Sequence, residues 1–296
     1  DEVAKIKEGK YKDFSMSDDE RYELYLAAWL HDCGKVATPP HVVDKGTKLE
    51  TIFDRIELIK TRMELLKRDA EIAFLKRQLN GHTPKDFDQE YLDTMKNINS
   101  DMEFLEQCNI GGEFMKLDDQ DRVKDIGLKK IEFNGSKQNF LTDNEIENLN
   151  IPKGTLLPDE REIINDHIVI TIEMLEQLPY PKNLKNIPEF AGGHHEKMDG
   201  TGYPKGLSDH QMSTQAKIMA IADIYVALTA ADRPYKEGKK LSQAMRIMGF
   251  MKNDYHIDEE LFEIFVKSGV YKKYAKEYVN IDQIDNVDEA AIIGVK

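Results

Sequence analysis

Two apolar seams constrain this chain more than any other feature. Ile52, Ile56, Ile59, Met63, Leu66, Ala70 and Ala73 alternate spacings of four and three across residues 51–80, the rhythm of one apolar helix face. Gly81-His82-Thr83-Pro84 breaks the run, and Leu92, Met95, Ile98, Met102 and Leu105 then repeat it, ending before Gly111-Gly112. The pattern predicts an antiparallel helical hairpin over 51–107. Core packing within the domain accounts for the seams. A homodimer interface or a lid is the alternative.

Helical rhythm continues through most of the 296 residues. Residues 18–36 read as one helix, with Ser17 as N-cap, acids in the first turn, and Tyr22, Leu26, Trp29 and Leu30 on an apolar face. A helix opens at Leu157-Pro158 and carries Ile164, His167, Ile168, Thr171, Ile172 and Leu175. Others are expected at 214–230, 240–252, 258–268 and 271–279. Only 128–142 looks different: Asn134-Gly135 between short alternating runs predicts a small β-hairpin. The expected class is all-α, with a mainly helical segment containing that hairpin.

A net charge of −14 argues against a protein that wraps long nucleic acid, which needs a basic footprint. It leaves room for a small anion, because bound cations reverse the local field. No apolar run is long enough to span a bilayer. Cys33 and Cys108 are too few for a disulfide framework and read as reduced thiols of a cytoplasmic protein. The opening stretch from Asp1 reads like the tail of an earlier helix, so a longer protein with an N-terminal sensory domain is expected.

His31-Asp32 lies in WLHDCGK, near the end of the 18–36 helix. Adjacent helical side chains point about 100° apart, yet both can reach an ion lying between them. A carboxylate can bridge two cations, and imidazole with carboxylate suits iron, manganese or zinc. Lys35 shares the face of Asp32 and could hold a phosphate oxygen or assist a leaving group. The plain alternative is an ordinary histidine before a Gly-Lys cap. His194-His195-Glu196 opens HHEKMDGTGYP, whose Gly200, Gly202 and Pro204 make a tight loop. His167 and Asp223 each sit among apolar helical neighbours, where a core histidine and a structural ion pair are the plain readings. Arg233 and Lys236 form a local basic patch suited to phosphate oxygens, or are simply solvated. His41, His82, His210 and His256 carry no such company.

HDCGK, then a helical His167, then HHEKMDGTGYP, then IADIYVALTA with DRPYK, resemble in that order the HD-GYP family, a branch of the HD-domain metal phosphohydrolases. The resemblance covers roughly 20–45 and 153–270. It implies an all-α bundle that hydrolyses cyclic dinucleotides, chiefly cyclic di-GMP, to pGpG or GMP. Hydrolysis of 3′,3′-cyclic GMP-AMP, or binding without catalysis, is the alternative. The resemblance also implies metal ligands at His31, Asp32, His167, His194, His195 and Asp223, with Asp32 bridging. They would hold two divalent ions, or three, with iron or manganese favoured over zinc, nickel or magnesium. Asp32 and Lys35 would be the catalytic pair, Lys35 near the scissile phosphate. Arg233 and Lys236 would hold substrate phosphates, while Gly202, Tyr203 and Pro204 would shape the site or meet protein partners.

Three departures accompany the resemblance. Residues 46–152 interrupt the pattern, so the catalytic domain is expected to be discontinuous, 1–45 with 153–296. Val226 stands where many members carry a second acid, and one extra residue precedes Asp232. The upstream glutamate and histidine of three-metal members would fall at or before Asp1.

Overall fold

Ser17 opens the first long helix in the computed structural model, which describes residues 1–80, 84–112, 114–133, 135–231 and 238–293, apart from the side chains of 84–87. The Ser17 hydroxyl accepts from the Glu20 amide, and the Glu20 carboxylate accepts from the Ser17 amide, so two free helix-end N–H groups are satisfied. This helix, α1 (Asp18–Leu30), ends at Leu30 rather than at residue 36, and a 3-10 turn, Cys33–Ala37, follows. The cause is tertiary. Gly34 rests on a later helix so closely that a Cβ would strike the His167 carbonyl, and its N–H donates to Thr171 Oγ1 at 2.9 Å.

The chain divides into two compact units, 1–39 with 162–296, and 40–161. In the 40–161 unit, α2 (Pro40–Val43) precedes the long pair α3 (Ile56–Leu79) and α4 (Pro84–Asn109). Then come α5 (Leu117–Gly127), β1 (Lys130–Phe133), β2 (Ser136–Asn139) and α6 (Asp143–Leu149). The strands pair antiparallel from Lys130↔Asn139 to Phe133↔Ser136. Gly135 takes φ +71° in the connection, whereas Asn134 lies outside the described residues. Ile56, Ile59, Met63 and Leu105 are buried with Val123, Ile126, Phe140, Leu141 and Leu149 in one core. The expected seam is therefore buried only at its base. Ile52 is 96% exposed and precedes the helix, because Asp54 Oδ1 accepts from the Ile56 amide at 2.9 Å and starts the helix there. Ala73 and Leu92 also face solvent.

Helix α7 (Pro158–Asn165) is followed by α8 (His167–Glu176), so the single helix expected from 157 to 175 is broken at Asp166. The rest of the unit formed by 1–39 and 162–296 is α9 (Ile187–Gly192), α10 (Thr214–Thr229), α11 (Leu241–Asn253), α12 (Glu259–Lys267), α13 (Val270–Tyr278) and α14 (Glu289–Ile293). Ala27, Leu175, Ile187, Phe190, Ala191 and Met219 form one core that joins α1, α8, α9 and α10. A second core, including Tyr225, Met248, Phe262 and Tyr271, fastens α10 to the C-terminal helices. Each large side chain so buried stabilises the fold by roughly 1.5–3 kcal/mol. The sequence pattern did not announce α9. Its place is fixed by tertiary contacts: Gly192 lies against Ile172, Gly193 against Ala216, and the buried Glu23 carboxylate accepts from the Asn186 amide at 2.6 Å. Among the described residues no helix is long and apolar enough to cross a membrane. The architecture is all-α, with one two-stranded ribbon.

Candidate metal centre

Four helices bring the candidate ligands together. α1 ends on His31, α8 begins with His167, His194 and His195 follow α9, and Asp223 lies on α10. Asp32 has left helical backbone (φ −108°, ψ 11°), which frees it from the divergence of adjacent helical side chains. His31 Nε2 lies 3.3 Å from Asp32 Oδ2 and 3.6 Å from Asp223 Oδ1, and His167 Nε2 lies 3.2 Å from Asp32 Oδ1. The ring centroids of His31 and His194 are 4.8 Å apart, those of His167 and His195 5.2 Å, and those of His194 and His195 4.2 Å.

The backbone sets three of the four rings. Nδ1 of His31 donates to the Ala28 carbonyl at 2.7 Å, Nδ1 of His194 to the Ala191 carbonyl at 2.6 Å, and Nδ1 of His167 to the Ile164 carbonyl. A carbonyl only accepts, so the proton sits on Nδ1 and the neutral ring keeps its lone pair on Nε2. Nε2 of His167, Nε2 of His194 and Oδ1 of Asp32 are buried with no hydrogen-bond partner among the described residues. Buried polar atoms are normally satisfied, so these three atoms facing one another fit a bound cation. The ligand atoms of His167, His194 and His195 lie within 4.8 Å of one another, as do those of His31, Asp32 and His194. Four imidazoles and two carboxylates form a donor set suited to borderline divalent metals.

The electrostatics are polarised. Burial opposes a charge on His31, but the Asp223 and Asp32 carboxylates, 3.6 and 3.3 Å from Nε2, outweigh it and raise this imidazole to about 10. Burial, with His194 and His167 alongside, pushes His195 down to about 3, and burial also lowers His194. Asp32 and Asp223 stay below the ordinary carboxylate value in spite of burial: the His167 and His31 imidazoles beside it and the Lys35 hydrogen bond hold Asp32 down, and the nearby His31 imidazole leads for Asp223. The anionic centre thus attracts positive charge and keeps two rings neutral. That is the condition for ligation.

Lys35 Nζ donates to Asp32 Oδ2 at 2.6 Å at the rim of the cluster. The loop after the histidines is tightly held. Gly202 packs on the Glu196 and Lys197 backbone where a Cβ would collide, and the Tyr203 ring stacks on His195 at 4.8 Å and 14°. Pro204 follows through a cis bond. Arg233 and Lys236 lie outside the described residues, as does His82. His41 and His210 are exposed. Sequence reasoning missed three supporting residues: Glu23, which caps α9; Thr171, which receives Gly34; and Glu196, whose buried carboxylate accepts from the amides of Lys205 and Leu207 at 2.7 and 2.8 Å. Glu196 was visible as part of the HHE string. The other two depend on contacts between distant segments.

The HD domain family profile matches residues 143–261, a span that includes His167, His194, His195 and Asp223. A cyclic di-GMP phosphodiesterase of Thermotoga maritima is 28% identical over 244 residues, 76% of this chain and 64% of the relative. A cyclic di-GMP phosphodiesterase of Pseudomonas aeruginosa is 46% identical over 79 residues, 26% of this chain and 18% of the relative. A 3′,3′-cGAMP-specific phosphodiesterase of Vibrio cholerae is 40% identical over 80 residues, 27% of this chain and 18% of the relative. The chain spans less than two thirds of the length of each of these relatives. Together with HDCGK and HHEKMDGTGYP converging on one centre, these matches support an HD-domain phosphodiesterase family of the HD-GYP type for this chain.

Proposed function

We propose that this chain is the core of a metal-dependent phosphodiesterase that opens a cyclic dinucleotide, cyclic di-GMP first, to pGpG and/or GMP. One observation carries the reading: the buried cluster in which His167 Nε2, His194 Nε2 and Asp32 Oδ1 face one another without partners. The names of the similar proteins supply the substrate class.

His31, Asp32, His167, His194, His195 and Asp223 would hold the cations. Six donors exceed the set of one tetrahedral ion, so the reading takes two divalent ions sharing Asp32, iron or manganese by preference, with room for a third left open. Such ions, when bound, bring coordinated water close to neutrality in pKa and draw charge from phosphoryl oxygens. Lys35, held by Asp32, places an ammonium where it can meet a phosphoryl oxygen or hand a proton to the departing ribose 3′-oxygen. Arg233 and Lys236 are assigned to substrate phosphates, and Gly202, Tyr203 and Pro204 to the wall of the site. The reading keeps 46–152 as an insertion into a discontinuous catalytic domain of a cytoplasmic protein. Core packing is the first role read for the insertion and a homodimer interface the second, and the partner of the catalytic unit is either a second copy or an N-terminal sensory domain.

The test is product analysis. Purified protein is incubated with cyclic di-GMP and Mn²⁺ or Fe²⁺ under reducing conditions, and nucleotides are separated by chromatography. Appearance of pGpG or GMP supports the reading. Intact substrate, with or without binding, would leave only a sensor of cyclic dinucleotides. Cyclic GMP-AMP is assayed in parallel, because two of the similar Vibrio cholerae proteins, 40% and 35% identical over their matched parts, are named as specific for it. Light scattering of a chain lacking 50–150 tests the dimer: an unchanged oligomeric state removes it.

A further inference from the structure

The four imidazoles of the cluster are not oriented alike. His31, His167 and His194 each tie Nδ1 to the carbonyl three residues earlier. His195 makes no such bond among the described residues, and neither ring nitrogen donates to or accepts from the protein there. A metal-binding imidazole without an outer partner is free to rotate about its side-chain bonds, and each rotation moves the lone pair off target.

What His195 has instead is an aromatic face. The Tyr203 ring lies nearly parallel to the imidazole, 14° between planes and 4.8 Å between centroids. Two backbone ties hold the loop that carries that ring. The Tyr203 amide donates to the His195 carbonyl at 3.2 Å, so the two residues are joined through the backbone as well as through their rings. The buried Glu196 carboxylate accepts from the amides of Lys205 and Leu207, which pins the chain just beyond Tyr203 beneath the histidine pair. Gly202 completes the arrangement, since a side chain there would collide with the Glu196 and Lys197 backbone and lift Tyr203 away.

We infer that Tyr203 is the positioning residue of His195: its ring, held by Glu196, does for this imidazole what a backbone carbonyl does for the other three. The inference rests on the metal-centre reading above. It gives the tyrosine of the signature loop a role in metal affinity through ring shape, separate from any contact with substrate. The hydroxyl is not needed for it.

The full chain is titrated with Mn²⁺ by calorimetry, as wild type, Tyr203→Phe and Tyr203→Leu, with thermal melts of the metal-free proteins alongside. Losing an outer partner of a metal ligand weakens binding by about 10–100-fold. Tyr203→Leu is therefore expected to weaken the tightest Mn²⁺ site at least about tenfold, and Tyr203→Phe to retain it. Co²⁺ absorption supplies a second readout, in which the visible bands of the Leu variant shift and those of the Phe variant do not. Wild-type protein that binds no Mn²⁺ would sink the metal-centre reading itself. Wild-type binding that survives unchanged in Tyr203→Leu, or falls equally in Tyr203→Phe, overturns the positioning role and leaves the centre standing. Should the Leu variant melt out, Glu196→Gln serves, because it keeps Tyr203 and loosens the loop. Unchanged Mn²⁺ affinity in that variant also overturns the role.

Discussion

Buried charge is handled in opposite ways in the two units. In the 40–161 unit, the fully buried Lys45 ammonium donates to both oxygens of Glu160 and to Asn148, and Arg62 donates to Glu145 and to the Phe140 carbonyl. Both cations are answered by anions and amides of their own unit. In the other unit, four imidazoles and two carboxylates gather, and three of their buried atoms are left without a partner. The first pattern describes cations that have found their partners, in a unit where Arg55 Nη2 and Asn150 Oδ1 are the buried atoms left without one among the described residues. The second describes a surface built for something added later, because an orphaned buried acceptor lowers stability unless a ligand answers it.

Asp32→Asn cuts most sharply between the two patterns. Product formation is expected to fall below detection, and the thermal shift caused by Mn²⁺ to vanish. The metal-free protein should lose less than the roughly 3–5 kcal/mol of a broken buried pair, because Asp32 and its Lys35 partner are both partly exposed. A variant that keeps its turnover would remove Asp32 from the chemistry. Glu160→Ala should do the reverse. It strands the Lys45 ammonium, and breaking a buried pair from one side costs about 3–5 kcal/mol. Hydrogen exchange read over 40–161 measures this loss locally, and unchanged protection there would mean that Lys45 finds another partner or loses its proton.

His167→Leu is the intermediate case. His167 is 3% exposed and its Nε2 is orphaned. An apolar side chain of similar size therefore should not weaken the metal-free fold by more than about 1 kcal/mol. Stabilisation by metal, about 2.7 kcal/mol at one hundred times the dissociation constant, should disappear. Melting curves with and without Mn²⁺ separate these effects. A large loss in the metal-free protein would place His167 among the satisfied residues, and the contrast between the units would fail.

The contrast was only partly legible in the sequence. Helix locations followed from apolar rhythm, and the ligand types followed from motifs with their order in the chain. What escaped is what depends on residues far apart. The rhythm carried the first helix to residue 36, but Gly34 must seat on α8, and the helix ends at Leu30. Ile52 kept the heptad spacing, yet Asp54 begins the helix after it. Nothing in Ile187–Gly192 reads as a strong helix. It exists because Glu23 caps it and because glycines let it close on α8 and α10, and His194 and His195 reach the centre from its end. Motifs announced the chemistry, while the tertiary contacts that aim it were silent.

A smaller prediction asks whether satisfied charge belongs to one unit alone. Lys10 Nζ donates to both oxygens of Asp209 at 2.8 Å and to Asp258 at 2.9 Å, and Lys217 also donates to Asp209. This cluster belongs to the unit that holds the candidate metal centre, yet it resembles Lys45 and Glu160. Burial would raise the Asp209 carboxyl, but hydrogen bonds from Lys10 and Lys217 outweigh it and bring it down from 3.8 to about 2. A carboxyl depressed in the folded state contributes stability above its unfolded value, and loses it as pH falls through the folded one. The window is therefore about pH 4 to 2. The Asp209 side chain is 39% exposed, so solvent screening limits the effect to less than about 1 kcal/mol. Denaturation of wild type and Asp209→Asn across pH 7 to 2 should show a small wild-type advantage that is constant above pH 4 and disappears toward pH 2. An advantage that persists to pH 2 would show that Asp209 acts through packing rather than charge, leaving ionic satisfaction of this kind to the 40–161 unit.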